Sequence, residues 1–342
     1  MSSTFKSFSR RNALGLLGAA GATLARQPRA VAQSSAQTVR IAVIKATILA
    51  PSLLVERYLP TGWKTEMTFF TTPADMTNAL LTDSVDIAYT GLTIGVVARS
   101  RNQPIIVVAN QGGKGTAIVA RADSSIRSIA DLRGKKVGNL PTSIHDILLR
   151  EELKKANMRM EDLTLIRLAP ADMPAALRRG DIDAFSGNEP NSSITVLQGY
   201  GRVIMYPYDN PVGPINVGVL TSDMHFRDKR AMLDAWIFAH AKATEEMAKD
   251  PVMWTDVVVN EWGFDREATR RSLNNLELKW QMDAAFLGQF AAFSERLKDL
   301  GVITSVPSVS TLVVRDLVNN VRLYWPCRER MRGESAGGKS TA

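Results

Sequence analysis

The fourteen-residue phrase at positions 73–86, PADMTNALLTDSVD, returns at 170–183 as PADMPAALRRGDID, with seven positions identical and no gap between the copies. Each copy follows an extended apolar run (65–70 and 163–168) and precedes a shorter one (85–89 and 182–185). Proline opens both. Its missing N–H has no intrahelical partner in a first turn, and Asp75 and Asp172 complement the positive helix end. Strand, helix and strand used twice predict two α/β lobes. A repeated supersecondary unit carries no function by itself. The loops that follow the copies do, because Thr90-Gly91-Leu92-Thr93 and Ser186-Gly187-Asn188-Glu189-Pro190 leave the carboxyl ends of strands, where open α/β sheets place ligands.

Charge limits what two such lobes bind. Of the net +8, residues 1–32 supply +5 through Lys6, Arg10, Arg11, Arg26 and Arg29, and residues 327–342 supply +2, so the body is close to neutral. A nucleic-acid footprint needs basic residues clustered on one face, so no nucleic-acid partner is expected. With 342 residues and 45% hydrophobic content, the chain can bury the core of one large or two medium domains. Cys327 is the one cysteine, which excludes an internal disulfide and a cysteine-rich metal site.

The first residues read as an address. A basic start precedes a weakly apolar run at 13–25 and then Ala30-Val31-Ala32, a small-x-small cleavage signature. Thirteen residues fall short of the roughly 20 that a membrane span requires. Ser9-Arg10-Arg11-Asn12-Ala13-Leu14 resembles the twin-arginine export motif, with Ala13 where an aromatic is usual.

Beyond that segment, 39–44 reads as a buried strand, followed by a loop and a helix starting at Pro51. Short strands at 105–110 and 117–121 flank a Gln111-Gly112-Gly113-Lys114-Gly115 turn, and a long helix ends at Ala156 with Leu148, Leu149 and Leu153 as an apolar stripe. Residues 207–214, rich in turn formers, form a second crossing between lobes, and 223–320 reads as almost wholly helical, wrapping the first lobe. The expected organisation is a twin-arginine-type signal peptide at 1–32, lobe 1 from 38–121 and 213–325, lobe 2 from 122–212, and a polar tail at 326–342.

An ordered set of motifs now carries a resemblance. Asp131-Leu132-Arg133-Gly134-Lys135-Lys136-Val137, then Thr142-Ser143-Ile144-His145, then 176–184 (ALRRGDIDA) with Glu189-Pro190, look like the nitrate/sulfonate/taurine group of periplasmic substrate-binding proteins, the solute receptors of ABC importers. The resemblance covers about 38–325. It implies an α/β, two-lobed type II binding-protein fold, a fold shared with thiamine-pyrimidine precursor binding proteins. Two crossing strands form its hinge, and a helical C-terminal segment packs on lobe 1. It also implies a monomer in the periplasm that takes a small solute to an importer's membrane permease, with no cofactor and no metal. Two departures stand out: Leu140-Pro141-Thr142-Ser143 replaces a usual Gly-Ser, and Asn157 replaces a usual Gly.

An anion at a helix N-terminus needs free backbone N–H groups and small hydroxyls rather than a formal cation. Thr47, Thr71, Thr72, Thr90, Thr93, Thr142 and Ser143 all fall in loops after strands or at helix starts. One such hydroxyl is an N-cap; seven on one rim suggest a site. The expected ligand-binding set is Thr47, Thr72, Thr90, Gln111, Thr142, Ser143, His145, Asn188 and Glu189. His145 reads equally as ligand donor or helix cap. Glu189 reads either as facing a cationic or N–H-bearing solute or as capping the helix at Pro190. Lys45 and Lys114, the cations near these loops, read as solvated; Trp63, Tyr89, Trp236 and Trp280 read as core.

The same fold hosts enzymes, among them a pyrimidine synthase and a desulfinase, which use an active-site cysteine or a cysteine-rich motif. Cys327 lies far in sequence from every candidate loop, and His145, His225 and His240 form no nucleophile or metal pattern. A non-enzymatic solute receptor of the sulfonate, taurine or nitrate class is therefore expected, with a heterocycle-precursor receptor or an enzyme on the same fold as the alternatives.

Overall fold

The computed structural model describes residues 37–321. The expected signal peptide at 1–32 and tail at 326–342, with Cys327, lie outside them. The chain begins with β1 (Gln37–Val43), a 3-10 helix over Thr47–Tyr58, β2 (Trp63–Phe69), α1 (Pro73–Leu81), β3 (Ile87–Gly91), α2 (Leu92–Ser100) and β4 (Ile105–Lys114). It crosses at Gly115 into β5 (Thr116–Arg121), β6 (Lys136–Asn139), α3 (Ile144–Lys155), β7 (Thr164–Arg167), α4 (Met173–Arg179), β8 (Ala184–Asn188), α5 (Asn191–Leu197) and β9 (Gly201–Met205). It returns through β10 (Ile215–Ser222) to α6 (Asp223–Asp228), α7 (Arg230–Lys249), α8 (Pro251–Trp262), α9 (Arg266–Ser272), β11 (Leu276–Leu278), α10 (Ala284–Asp299) and α11 (Val309–Leu312).

Two sheets result. The first runs β2-β1-β3-β10-β4-β11 and the second β7-β6-β8-β5-β9. Their plans match: three parallel strands in the same relative order, then an antiparallel strand that has crossed from the other sheet (β10 or β5). β3 and β8 stand at equivalent positions of the repeat, so the sequence duplication is a structural one. Its closing aspartates do the same work twice. Asp86 Oδ2 accepts the Arg40 backbone N–H at 2.8 Å, and Asp183 Oδ2 accepts that of Lys136 at 2.9 Å. In return each aspartate's own N–H donates to the same partner's carbonyl. A carboxylate there satisfies a donor that the ladder leaves unpaired where β3 and β8 begin.

Four expectations need correction. Residues 117–121, assigned to lobe 1, belong to β5 and pair with β8 and β9 in the second sheet, so the first crossing lies at Gly115 rather than after Arg121. Gln111 to Lys114 are not a turn but the end of β4, bulged against β10. The helix expected to start at Pro51 begins at Thr47, has 3-10 geometry, and carries Pro51 inside. A strand, β11, interrupts the helical C-terminal region and edges the first sheet.

The main core fills the first sheet and its helices, with Ile41, Ile87, Tyr89, Val107, Trp236, Phe290 and Phe293 wholly or nearly wholly buried. Two smaller clusters flank the second sheet. The apolar face of α3 divides between them: Ile144, Ile147 and Leu148 join the main core, whereas Leu149 and Leu153 join the second. This is the 3.6-residue periodicity serving two partners. Arg296 on α10 reaches Glu151 on α3 at 2.7 Å, and α9 packs against α5, so the C-terminal helices contact helices that flank the second sheet.

Candidate functional site

Between the sheets lies a cavity lined from both sides by the carboxyl ends of the parallel strands. Ile44, Ala46, Ile48 and Leu49 follow β1, Thr71 and Pro73 follow β2, and Thr90, Gly91, Thr93 and Ile94 surround the end of β3. From the second sheet come Leu140, Ser143, Ile144 and His145 after β6, Pro170 after β7, and Asn188 and Glu189 at the end of β8. Gly115, Asn216, Val217 and Leu276 close the hinge side. The cavity volume is about 70 Å³. About 10–15 Å³ of such space holds one water, so the room suits a compact solute.

Helix N-termini converge here, and they differ in how their amides are used. Thr72 caps α1 by accepting the Asp75 N–H at 3.4 Å. Ser143 caps α3 through Asp146 N at 3.2 Å. The N-cap of α2 is Gly91, which has no side chain to offer, so no side chain caps the first amides of that helix. Beside them Thr90 and Thr93 are 2% and 0% exposed, and neither hydroxyl has a hydrogen-bond partner. Buried polar groups are normally paired, and one left unpaired costs about 1–3 kcal/mol. The lining of this wall thus includes uncapped amides and two orphan hydroxyls, donors of the kind that oxyanion oxygens can accept from. No lysine or arginine lines the cavity.

His145 and Glu189 are its ionisable groups. His145 Nδ1 lies 2.9 Å from the Thr116 hydroxyl, and burial pushes the imidazole down to about 4, so it is neutral at pH 7. Glu189 lines the cavity, and its Oε2 accepts the Ser193 N–H of α5 at 3.1 Å, as the capping reading expects. Its Oε1 accepts from Asn275 Nδ2 at 3.3 Å. Burial raises its pKa, while the Ser193 and Asn275 bonds and the Arg271 charge oppose the rise. Both oxygens being engaged, the carboxylate is already partnered without a solute.

Of the nine expected residues, Thr90, Ser143, His145, Asn188 and Glu189 come together around the cavity. Four do not line it. Thr47 is fully buried, with its carbonyl accepting from Trp254 Nε1 at 2.9 Å, and Thr72 serves α1. Gln111 donates to the Ile48 carbonyl at 3.1 Å and so props a loop that does line the cavity. Thr142 stands at φ 64°, a left-handed backbone that glycine adopts freely and a β-branched residue does not. Its N–H donates to Asp146 Oδ2 at 3.2 Å. The apolar lining and the contributions of β10 and β11 were missed, since nothing in sequence separates Ile48 or Leu276 from core.

The family model described as NMT1/THI5 like matches residues 61–253, more than half of the chain. A putative aliphatic sulfonates-binding protein of Escherichia coli (strain K12) is 33% identical over 180 residues, covering 51% of this chain and 56% of the relative's length. The alkanesulfonate-binding protein SsuA from Xanthomonas axonopodis pv. citri bound to MOPS superimposes with a TM-score of 0.72 at 21% identity, covering 81% of this chain and 98% of that one. The desulfurization enzyme DSZB superimposes with a TM-score of 0.65 at 12% identity over 84% of this chain and 99% of that one. These structural likenesses establish the α/β two-sheet fold of binding proteins, which an enzyme also adopts. By the extent of the family match, the chain belongs to the NMT1/THI5-like family.

Proposed function

We propose that this chain is an extracytoplasmic solute receptor that closes two lobes on a small sulfonate and delivers it to the membrane permease of an ABC importer. The observation that carries the reading is the uncapped α2 N-terminus with the unpartnered hydroxyls of Thr90 and Thr93. Three sulfonate oxygens match those donors, and the apolar walls at Ile48, Leu49, Ile144 and Leu276 suit a short carbon chain. Nitrate and bicarbonate offer no such chain and fit less well. The E. coli relative's description supports the same solute class. A tail with an N–H group, as in taurine, stays within the class, because a carboxylate bonded to Ser193 and Asn275 keeps lone pairs for a further donor. Export of residues 1–32 by the twin-arginine route and action as a monomer complete the proposal. Among the described residues no helix is long and apolar enough to cross a membrane.

The test is calorimetric titration of protein purified without refolding against methanesulfonate to pentanesulfonate, taurine, nitrate and bicarbonate, with native mass spectrometry for retained solute. Saturable sulfonate binding is expected, and at a hundredfold excess over Kd it should stabilise the protein by about 2.7 kcal/mol. Nitrate binding more tightly than every sulfonate would overturn the proposal, as would turnover of a bound compound.

A further inference from the structure

A second concavity lies on the hinge. It has a volume of about 550 Å³ and is lined by Lys114 at the end of β4, Tyr206 and Tyr208 in the return crossing, and Glu267, Arg270, Arg271, Asn274 and Asn275 from α9 and the turn after it. Its charges are not balanced. Arg270 and Glu267 satisfy each other through two bonds of 2.9 and 2.6 Å. Lys114 and Arg271 enter no salt bridge among the described residues; the Arg271 charge reaches the buried Glu189 behind the groove wall but no carboxylate pairs with it, so the groove lining holds two cations without an ion-pair partner.

The polar side chains divide in the same way. Tyr208 and Asn275 are committed: the Tyr208 hydroxyl bonds Thr116 and Asn275 Oδ1, and Asn275 Nδ2 reaches Glu189. They form a fixed wall. Lys114, Tyr206, Arg271 and Asn274 make no side-chain hydrogen bond among the described residues, and all four offer donors. Lys114 is also the one side chain in a Gly112-Gly113-Lys114-Gly115 run and is held at φ 64°, so a cation stands where the backbone favours glycine.

We infer that this groove is an anion site for a phosphate-type dianion, free or as the end group of an organic molecule whose flat part lies against the tyrosines. An arginine fork beside a lysine point charge suits tetrahedral oxyanions. The site is distinct from the sulfonate cavity, which contains no cation. Because its walls come from both crossings and from α9, an occupant bridges the segments on which the sheets turn.

Inorganic phosphate and phenyl phosphate, titrated at constant ionic strength, test this by calorimetry and by amide chemical shifts. Saturable binding is expected in the wild type, with shifts at Gly113, Gly115 and Asn274. Tighter binding of phenyl phosphate identifies an organic occupant, and equal binding identifies the free ion. Lys114→Gln combined with Arg271→Gln, and separately Arg271→Glu, should weaken binding at least tenfold. A Thr90→Val/Thr93→Val protein, altered only in the other cavity, should bind phosphate as the wild type does. Non-saturating shifts, unchanged affinity in the groove variants, or loss of binding in the Thr90/Thr93 variant would each overturn the assignment.

Discussion

Asn275 Nδ2 donates to Glu189 Oε1 over 3.3 Å, joining the turn after α9, beside the first sheet, to the carboxyl end of β8 in the second. Asn275 also sits beside Thr116, where the chain crosses between sheets, with Tyr208 bonded to both. The C-terminal segment thus reaches the crossing and the cavity wall through one amide. Glu189 lines the cavity and also accepts from the first turn of α5, so position at the cleft and helix capping are compatible in one side chain.

Replacing Glu189 should separate them by pH. Its folded pKa is raised by burial, so its contribution to stability is fully present below the unfolded value, near 4.5, and is lost as pH rises through the folded value. Glu189→Gln keeps an acceptor for Ser193 and removes the titration. Urea unfolding at pH 4.5 and 7.5 should show the variant gaining on the wild type as pH rises. A constant difference between the two proteins would mean that the carboxylate is not desolvated as the geometry requires.

Thr90→Val and Thr93→Val should move stability and affinity in opposite directions. Each removes a buried hydroxyl that has no partner in the unliganded protein, so stability should hold or rise by up to about 1 kcal/mol. Sulfonate affinity should fall by about 1.5–3 kcal/mol, the size of a hydrogen bond to a charged group. Unfolding midpoints and titrations on the same preparations check both signs. A loss of stability with unchanged affinity would assign these hydroxyls to the fold instead of the solute.

The two-sheet plan was legible because duplication writes the same signals twice, and Pro73 and Pro170 punctuate both copies. Thr90, Ser143, His145, Asn188 and Glu189 were legible for the related reason that strand ends in this plan face the cleft. Thr47, Thr72 and Thr142 failed because a hydroxyl at a helix start and one aimed at a solute carry the same letter; only the direction of the side chain differs. Gln111 failed because β4 continues past the glycines that suggested a turn. The strand β11 is three residues long and is held by pairing with β4, a long-range contact that local propensity does not register.

The two repeat aspartates should differ in cost. Asp86 is 2% exposed and, besides the Arg40 amide, holds the Arg40 guanidinium and Lys229 Nζ, each at 2.7 Å. Asp183 is half-buried and accepts the Lys136 amide. Asp86→Ala leaves two cations without this partner and should cost about 3 kcal/mol. Asp183→Ala should cost about 1 kcal/mol. The cluster of Asp83, Asp86 and His225 has the reach of a metal site, but Arg40 and Lys229 already neutralise its carboxylates, so added zinc should leave the melting temperature unchanged.

Acid should destabilise the protein through two histidines. His145 faces Thr116, and His240 is enclosed between the Tyr89 hydroxyl at 3.0 Å and the Asn110 carbonyl at 3.0 Å, stacked on Trp236. Burial pushes both imidazoles down to about 4. In the unfolded chain they titrate near 6.5. Above that value both states are neutral and stability is complete; between about 6.5 and 4 the unfolded chain binds protons that the folded chain refuses, so stability falls with pH. The full loss is roughly 3 kcal/mol per residue. Glu189, with its pKa raised, opposes the fall over part of this window, so the Glu189→Gln background should steepen it. His145→Gln should remove about half the histidine slope between pH 6.5 and 5, measured as urea midpoints, and should leave stability at pH 7.5 within about 1 kcal/mol because the Thr116 hydroxyl keeps an amide partner. An unaltered slope in that variant would show that His145 titrates alike in the folded and unfolded protein, and its side of the cavity would then gain a positive charge in acid.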